Sequence, residues 1–232
     1  MSLHIYGLLI GIAIVVGLSV AERVARASGH QIDVWDPLWW MATPAVAGAR
    51  AYHVVDKWSY YAQNPLEIID IAAGGLAIYG AIFGAVLGLL AYLKAKSKNT
   101  EVVVFEEFFV FGDVYALVLP LAQAIGRWGN YVNGELWGVA TTGTPWEYHP
   151  LFLYESVLNL ALFVILILMY RRKVRGSTLG GYLVGYGVIR IVLEPLRQES
   201  FRAGGVAVAQ LLGVLFVIIG ILILVRRKRE IW

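Results

Sequence analysis

The sequence contains no cysteine, and 15% of its residues are charged, compared with about 25% in a typical soluble domain. The missing cysteine excludes a disulfide, a thiolate metal site and a cysteine nucleophile. Low charge together with 59% hydrophobic residues argues against a soluble enzyme, a disordered chain and a nucleic-acid-binding domain. The sequence also lacks metal-ligand spacing, a phosphate loop and a dinucleotide fingerprint, so we expect neither a metal nor a cofactor.

What the chain does contain is long apolar stretches, and about 20 mostly apolar residues are enough for a helix to cross a membrane. Seven stretches qualify or come close: Leu3–Ala21, Leu38–Val55, Gly74–Leu93, Phe108–Ile125, Phe152–Tyr170, Leu179–Leu193 and Val206–Val225. The first stretch lacks Lys, Arg and a small-residue cleavage site, so we interpret it as a transmembrane helix rather than a signal peptide. The sequence predicts an all-α integral membrane protein with seven transmembrane helices. It forms a single polytopic domain over residues 1–232, with a short extracytoplasmic loop at about 126–150.

Lys and Arg are concentrated in alternate loops, which places the N-terminus outside and the C-terminus in the cytoplasm. We interpret these basic runs as anchors on anionic lipid and not as nucleic-acid sites. Glycines recur every fourth residue on three spans, where small residues let helix backbones approach closely. These glycines are Gly7 and Gly11, then Gly80, Gly84 and Gly88, then Gly181 and Gly185.

The densest polar segment covers residues 126–138 and reads GRWGNYVNGELWG. Its four glycines disfavour a continuous helix, because each costs about 1 kcal/mol relative to Ala, so we expect a compact turn. Arg127 offers a planar fork of donors that matches a phosphate, and Asn130 and Asn133 add neutral donors. Glu135 is able to accept a proton or to hold Arg127. A re-entrant loop with self-satisfied polar groups is the alternative.

A second polar cluster lies on the sixth span, where Tyr186, Arg190, Glu194 and Arg197 share one helical face. An arginine inside a span costs about 2.5–3.5 kcal/mol, so it needs a partner or a polar cavity. Glu194 at i+4 is such a partner for Arg190. Both a structural ion pair and a charge reserved for an anionic ligand are open. Pro195 should break the helix and aim Arg197 and Glu199 towards the membrane interface.

Arg50 lies inside the second span and needs a partner as well, with Asp70 and Asp113 as candidates. Arg127 and Arg190 are both predicted near the outer leaflet, where a phospholipid headgroup is the simplest resident anion. The residues alone therefore support either phospholipid-consuming catalysis or lipid or solute transport.

Residues 126–138 resemble the signature of the bacterial prolipoprotein diacylglyceryl transferases, and further resemblance covers segments 6–8, 48–52, 74–80, 119–123, 149–155 and 186–197. The resemblance implies transfer of the diacylglyceryl group from phosphatidylglycerol to the lipobox cysteine of a prolipoprotein signal peptide, with release of glycerol phosphate. It also implies the bacterial cytoplasmic membrane as the location. We expect membrane lipids as neighbours, no nucleic acid and a monomer.

The resemblance further implies catalytic roles for Arg127, Arg190, Glu135, Tyr6 and Tyr79. It implies substrate-binding roles for Arg127, Asn130, Asn133, Gly138, Tyr186, Glu194 and Arg50. The two arginines Arg127 and Arg190 would clamp the phosphate, with Glu135 and Glu194 orienting them. Tyr6 would hydrogen-bond the lipid or the thiol, and Gly138 would keep the loop close to the ligand.

Two departures from the family pattern bear on the reaction. Many members have His where this chain has Tyr79, and an imidazole (pKa ~6.5) accepts a thiol proton far better than a phenol (pKa ~10). The base lies elsewhere, the thiol ionises in the field of the arginines, or Tyr79 only binds; we favour the second. The segment between Gly138 and His149 is also short. The rival hypothesis is a transport or lipid-binding protein, or an inactive relative.

Overall fold

The computed structural model describes residues 2–29, 32–71, 74–96, 101–142, 146–172, 174–198, 202–203 and 205–227. The α-helices are α1 (Ser2–Ala27), α2 (Asp36–Asp56), α3 (Trp58–Tyr61), α4 (Ile78–Lys96), α5 (Glu101–Val132), α6 (Leu151–Tyr170), α7 (Ser177–Leu193) and α8 (Val208–Arg227). Two 3₁₀ turns (Pro65–Ile69 and Glu194–Leu196) and an antiparallel pair of two-residue strands, β1 (Arg202–Ala203) and β2 (Val206–Ala207), complete the elements. The predicted helical fold class is confirmed.

Six helices in the described ranges are long and apolar enough to cross a membrane: α1, α4, α5, α6, α7 and α8. The protein is therefore a multi-pass membrane protein by the length and composition of its helices. The second predicted span corresponds to α2, which carries Arg50 and His53 and is not one of the six. A seventh span and the orientation of the termini stay predictions.

The chain divides into two compact units, one made of Met1–Ile32 with Phe109–Trp232 and the other of Asp33–Phe108. The first unit contains α1, most of α5, and α6 to α8 with the strand pair. The second contains α2, α3, the first 3₁₀ turn and α4. The expectation of a single domain stays a prediction.

Glycines fix the packing of α4 in the second unit. A Cβ built on Gly80, Gly84 or Gly88 would overlap main-chain atoms of α2, so the two backbones touch along that face. This confirms the close approach predicted from their spacing. The prediction is wrong for α1 within the described part of the chain, where a Cβ on Gly7 or Gly11 would meet nothing within 4 Å.

Glycines also allow close packing on two sides of α7 in the first unit. A Cβ on Gly187 would lie 2.6 Å from a main-chain oxygen of α8, and one on Gly180 would lie 3.0 Å from another. Gly181 and Gly185 face α6, where a Cβ would collide with side chains. Their predicted role in close packing is confirmed, and α7 is held tightly between α6 and α8.

The end of α5 differs from the sequence prediction. The helix continues to Val132, through the first half of the glycine-rich segment, and the chain turns only at Gly134, which has a φ of 71°. The expected compact turn is therefore wrong for residues 126–132. Each main-chain group left unpaired in an apolar medium costs several kcal/mol, whereas a helical glycine costs about 1 kcal/mol, so the helix persists.

Candidate functional site

The ends of three helices in the first unit carry a group of ionised side chains. Arg127 lies near the end of α5, Glu155 near the start of α6, and Arg190 near the end of α7. Glu194 and Arg197 follow in and just after the 3₁₀ turn that terminates α7. We refer to these five residues as the arginine–glutamate cluster.

Glu155 connects two arginines that come from different parts of the chain. Its Oε2 lies 2.7 Å from Nε of Arg127, and its Oε1 accepts a hydrogen bond of 2.5 Å from Nη2 of Arg197. The Glu155 side chain is only 1% exposed. A buried carboxylate between two guanidiniums is well compensated, and this contact ties the end of α5 to the segment after α7.

The second carboxylate, Glu194, continues the arrangement. Its Oε2 lies 3.1 Å from Nη2 of Arg190 and 3.6 Å from Nε of Arg197. The i,i+4 pair predicted from the sequence is confirmed. As predicted, the helix ends before Pro195. Arg197 contacts both carboxylates, a pairing that the sequence did not predict, and its direction towards the interface stays a prediction. Glu199 lies outside the described residues.

The cluster has three positive and two negative charges, so it retains one net positive charge. The carboxylates are at most 4% exposed, whereas the side chains of the three arginines are 18–21% exposed. The buried negative charges thus hold guanidiniums that are themselves only partly buried. Arg127 and Arg190 do not require an external anion for stability, but the surplus charge favours one.

The polar residues after Arg127 form a short relay at the protein surface. Nη1 of Arg127 donates to Oδ1 of Asn130 at 3.3 Å, and Nδ2 of Asn130 donates to Glu135 at 3.0 Å. Asn133 also donates to Glu135, at 3.4 Å. Glu135 therefore reaches Arg127 through Asn130, and the carboxylate in direct contact with Arg127 is Glu155.

Gly138 joins this surface turn to the segment that carries Arg197. Its N–H donates to the carbonyl of His149 at 2.8 Å, and its carbonyl accepts from Nε2 of Gln198 at 2.7 Å. A Cβ here would lie 2.6 Å from the carbonyl oxygen of Leu196. The close approach that requires glycine is thus to the protein's own main chain.

Polar and aromatic side chains continue from the cluster along α5 and α7. Tyr186, one turn before Arg190, stacks on Tyr182 with ring centroids 5.7 Å apart. The Tyr182 hydroxyl accepts a hydrogen bond of 2.9 Å from Gln123, which lies one turn before Arg127. Tyr186 therefore contacts α5 only indirectly, through Tyr182, and it makes no hydrogen bond to the cluster within the described residues.

Arg50 belongs to the second unit and has a different environment. It is buried, and its guanidinium donates to main-chain carbonyls of Glu67, Ile68, Gly74 and Gly75. Of the two partners suggested from the sequence, Asp113 is wrong, because it accepts the N–H groups of Gly176 and Leu179 at the start of α7. Asp70 as a partner of Arg50 stays a prediction. Arg50 holds the chain between α3 and α4 in place.

The two predicted catalytic tyrosines are not part of the described cluster. Tyr79 lies at the start of α4 in the second unit, with its ring centroid 6.1 Å from that of Tyr52. The side chain of Tyr6 lies outside the described part of the structure. Their catalytic roles stay predictions.

Sequence reasoning assigned no role to Glu155, although this residue holds two of the cluster's arginines. A usable signal was present, because an ionisable residue near the start of a strongly apolar helix needs a partner. Arg197 was placed on the correct helical face but was not chosen as a site residue. What the sequence could not supply was the pairing between α6 and the segment after α7.

The fold and the cluster together define a class: a multi-pass helical membrane protein with a surplus of partly buried positive charge at the ends of its helices, suited to an anionic group. Comparison with known proteins then identifies the family within this class. The family model for prolipoprotein diacylglyceryl transferase matches residues 1–226. The chain belongs to this family.

Three relatives illustrate the extent of the similarity, and each is named phosphatidylglycerol–prolipoprotein diacylglyceryl transferase. The relative from Finegoldia magna is 36% identical over 97% of this chain and 92% of its own length. The relative from Clostridioides difficile is 37% identical, over 94% and 88% respectively. The relative from Fervidobacterium nodosum is also 37% identical, over 94% and 79%.

Proposed function

We propose that this protein transfers the diacylglyceryl group of phosphatidylglycerol to the lipobox cysteine thiol of a prolipoprotein signal peptide. The names of its relatives and its membership of the family support this reaction. In the transfer a carbon–sulfur bond forms at the glyceryl carbon and the carbon–oxygen bond to the phosphate breaks. The glycerol phosphate leaves with the electron pair of that bond, and the thiol proton passes to solvent or to the departing phosphate.

The arginine–glutamate cluster is the observation that carries the proposed mechanism. Arg127 and Arg190 bind the phosphate, which gains negative charge as the carbon–oxygen bond breaks. Donors already held in position stabilise such charge without reorganising, which is why Glu155 and Glu194 matter to the reaction. Asn130, together with Asn133, positions the headgroup at the entrance of the cluster.

The thiol that reacts comes from the substrate, because the enzyme has no cysteine. We place its activation in the field of the arginines, since nearby positive charge lowers the pKa of a thiol from about 8.5. Tyr79 is then a binding residue rather than a general base. This assignment explains how a chain with Tyr at that position retains the activity.

The membrane arrangement is part of the same proposal. We take α2 as the seventh span, with the N-terminus outside and the C-terminus in the cytoplasm of a bacterium. The concentration of Lys and Arg in alternate loops supports this orientation in the cytoplasmic membrane. The protein acts as a monomer with one polytopic domain.

A turnover assay tests the reaction directly. The purified protein in detergent receives phosphatidylglycerol and a lipobox peptide, and released glycerol phosphate is measured. We expect release with the cysteine peptide and none with a matched serine peptide. If the folded protein binds phosphatidylglycerol but releases nothing with either peptide, the lipid-binding or transport hypothesis replaces the transferase.

Arg190→Lys tests the role of the cluster in that assay. Lysine keeps the charge but loses the fork of donors, and one charge-assisted hydrogen bond contributes about 1.5–3 kcal/mol, so we expect turnover to fall by at least tenfold. The control is Arg172→Lys, at an exposed position after α6. Near-normal turnover of Arg190→Lys would contradict the phosphate clamp.

A further inference from the structure

A cavity of the first unit lies at the other end of α6 from the arginine–glutamate cluster. It has a volume of about 460 Å³ and is lined by Arg23, Val24, Ala27, Ser28 and Arg171. Its walls come from the last turns of α1 and from the residue that follows α6. We call it the α1–α6 pocket.

The distance along α6 separates this pocket from the cluster. Glu155 lies near the start of α6 and Arg171 directly follows its end. With a rise of 1.5 Å per residue, the helix sets the two about 24 Å apart. This is most of the thickness of a hydrocarbon core of about 30 Å, so the pocket and the cluster lie towards opposite faces of the membrane.

The pocket lies at the depth of lipid headgroups. Arg23 is in the last turns of the apolar span Gly7–Ala27, and Arg171 comes directly after the span Leu151–Tyr170. Val24 and Ala27 add an apolar wall beside the two guanidiniums. A cavity lined by both cationic and apolar side chains matches a phospholipid better than a freely soluble ion.

The two arginines of the pocket are not neutralised by carboxylates within the described residues. Their neighbour Arg26 shows the contrast, because its Nη2 lies 2.5 Å from Oε1 of Glu22. Two like charges that line one cavity repel each other, and an anion between them removes that repulsion. Ser28 adds a hydroxyl donor to the same cavity.

We propose that the α1–α6 pocket binds the phosphate of an anionic phospholipid in the leaflet opposite to the arginine–glutamate cluster. The phosphate lies between Arg23 and Arg171, and an acyl chain runs along Val24 and Ala27. Guanidiniums bind phosphate through paired, charge-assisted hydrogen bonds. This lipid is a bound structural ligand and not the substrate, so the proposal does not depend on the reaction.

Native mass spectrometry with phosphatidylglycerol counts the lipids that stay bound to the protein. We expect the double variant Arg23→Gln with Arg171→Gln to retain one lipid fewer than the unaltered protein, with at least tenfold lower occupancy of that position. The control is Arg26→Gln with Arg172→Gln, which removes the same charge near the same end of the two helices without altering a pocket residue. We expect the control to retain the full number.

Two further arms separate the sources of the phosphate. Phosphatidylethanolamine, which has no net charge, should not fill the position, and inorganic phosphate at millimolar concentration should not displace the lipid. Equal loss of lipid in both double variants would overturn the proposal in favour of general charge attraction. Displacement by inorganic phosphate would overturn the lipid assignment. A failure of the transferase reaction would leave these counts unchanged.

Discussion

A single buried side chain, Glu155, organises the candidate site. Its two carboxylate oxygens contact Arg127 and Arg197, which come from different elements. Arg197 also approaches Glu194, which in turn holds Arg190. The three guanidiniums are therefore positioned through two carboxylates, and each carboxylate offsets the repulsion between the arginines that it joins.

Replacing Glu155 tests this positioning role. Removing one partner of a buried ion pair costs about 3–5 kcal/mol, so Glu155→Gln should lower the melting temperature. We also expect kcat to fall by more than tenfold, with a smaller change in KM for phosphatidylglycerol, because misplaced arginines lose leaving-group stabilisation more than ground-state binding.

Two companion variants make that result specific. Glu155→Asp keeps the charge and should recover part of kcat. Glu22→Gln breaks an exposed pair with Arg26, which is worth about 0.5 kcal/mol, and should leave turnover unchanged. A Glu155→Gln enzyme that melts earlier but has normal kcat would limit Glu155 to a structural role.

At the scale of elements, glycines decide how closely the helices pack. Those of α4 lie against the main chain of α2, whereas those of α1 have open space beside them. The spacing by four residues is the same in both helices. Lipid tails are as apolar as the side chains, so burying apolar side chains between helices is not favoured by the hydrophobic effect. Contact between backbones at small residues is therefore a main source of helix association in a membrane.

The pair Gly84→Ala and Gly11→Ala separates packing from helix propensity. Both changes place alanine inside a helix and gain about 1 kcal/mol of propensity. At Gly84 the new Cβ would also overlap the main chain of Pro44 and Ala45, and overpacking costs about 1–3 kcal/mol. We expect thermal unfolding in detergent to start earlier for Gly84→Ala and no earlier for Gly11→Ala. If Gly84→Ala and Gly11→Ala had the same melting temperature, the close contact between α2 and α4 would make no contribution to the stability of the protein.

At the scale of the whole molecule, the main feature is which helices cross the membrane. Among the residues that the structure describes, six helices are apolar enough to span it, and α2, with its buried Arg50, is less so. The Arg50 guanidinium is satisfied by carbonyls of its own unit, which reduces the cost of placing α2 in lipid. This observation supports α2 as a span.

Single cysteines can report the threading, because the natural chain has none. With seven spans, Ser59→Cys and Thr142→Cys lie outside, whereas Ser28→Cys and Arg172→Cys lie in the cytoplasm. In right-side-out vesicles, a membrane-impermeant maleimide should label the first two, and label the other two only after permeabilisation. Labelling of Ser28→Cys without permeabilisation, with Arg172→Cys still protected, would put both ends of α2 outside and remove α2 from the set of spans.

The sequence by itself determined the membrane class, the positions of most helices, the i,i+4 pair of Arg190 and Glu194, and the family. These features depend on hydropathy, short spacing and a contiguous motif, all of which are local. The sequence also indicated that Arg127 and Arg190 are suited to binding a phosphate. The roles of Tyr6 and Tyr79 are still predictions.

Only the tertiary structure decided which groups meet over long separations. The hydrogen bond from Arg197 to Glu155 joins residues 42 positions apart, and Arg50 donates to main-chain carbonyls that the sequence did not single out. The tertiary structure also extended α5 through glycines that disfavour a helix. A charge buried in lipid must find a partner, and the fold determines which partner is within reach.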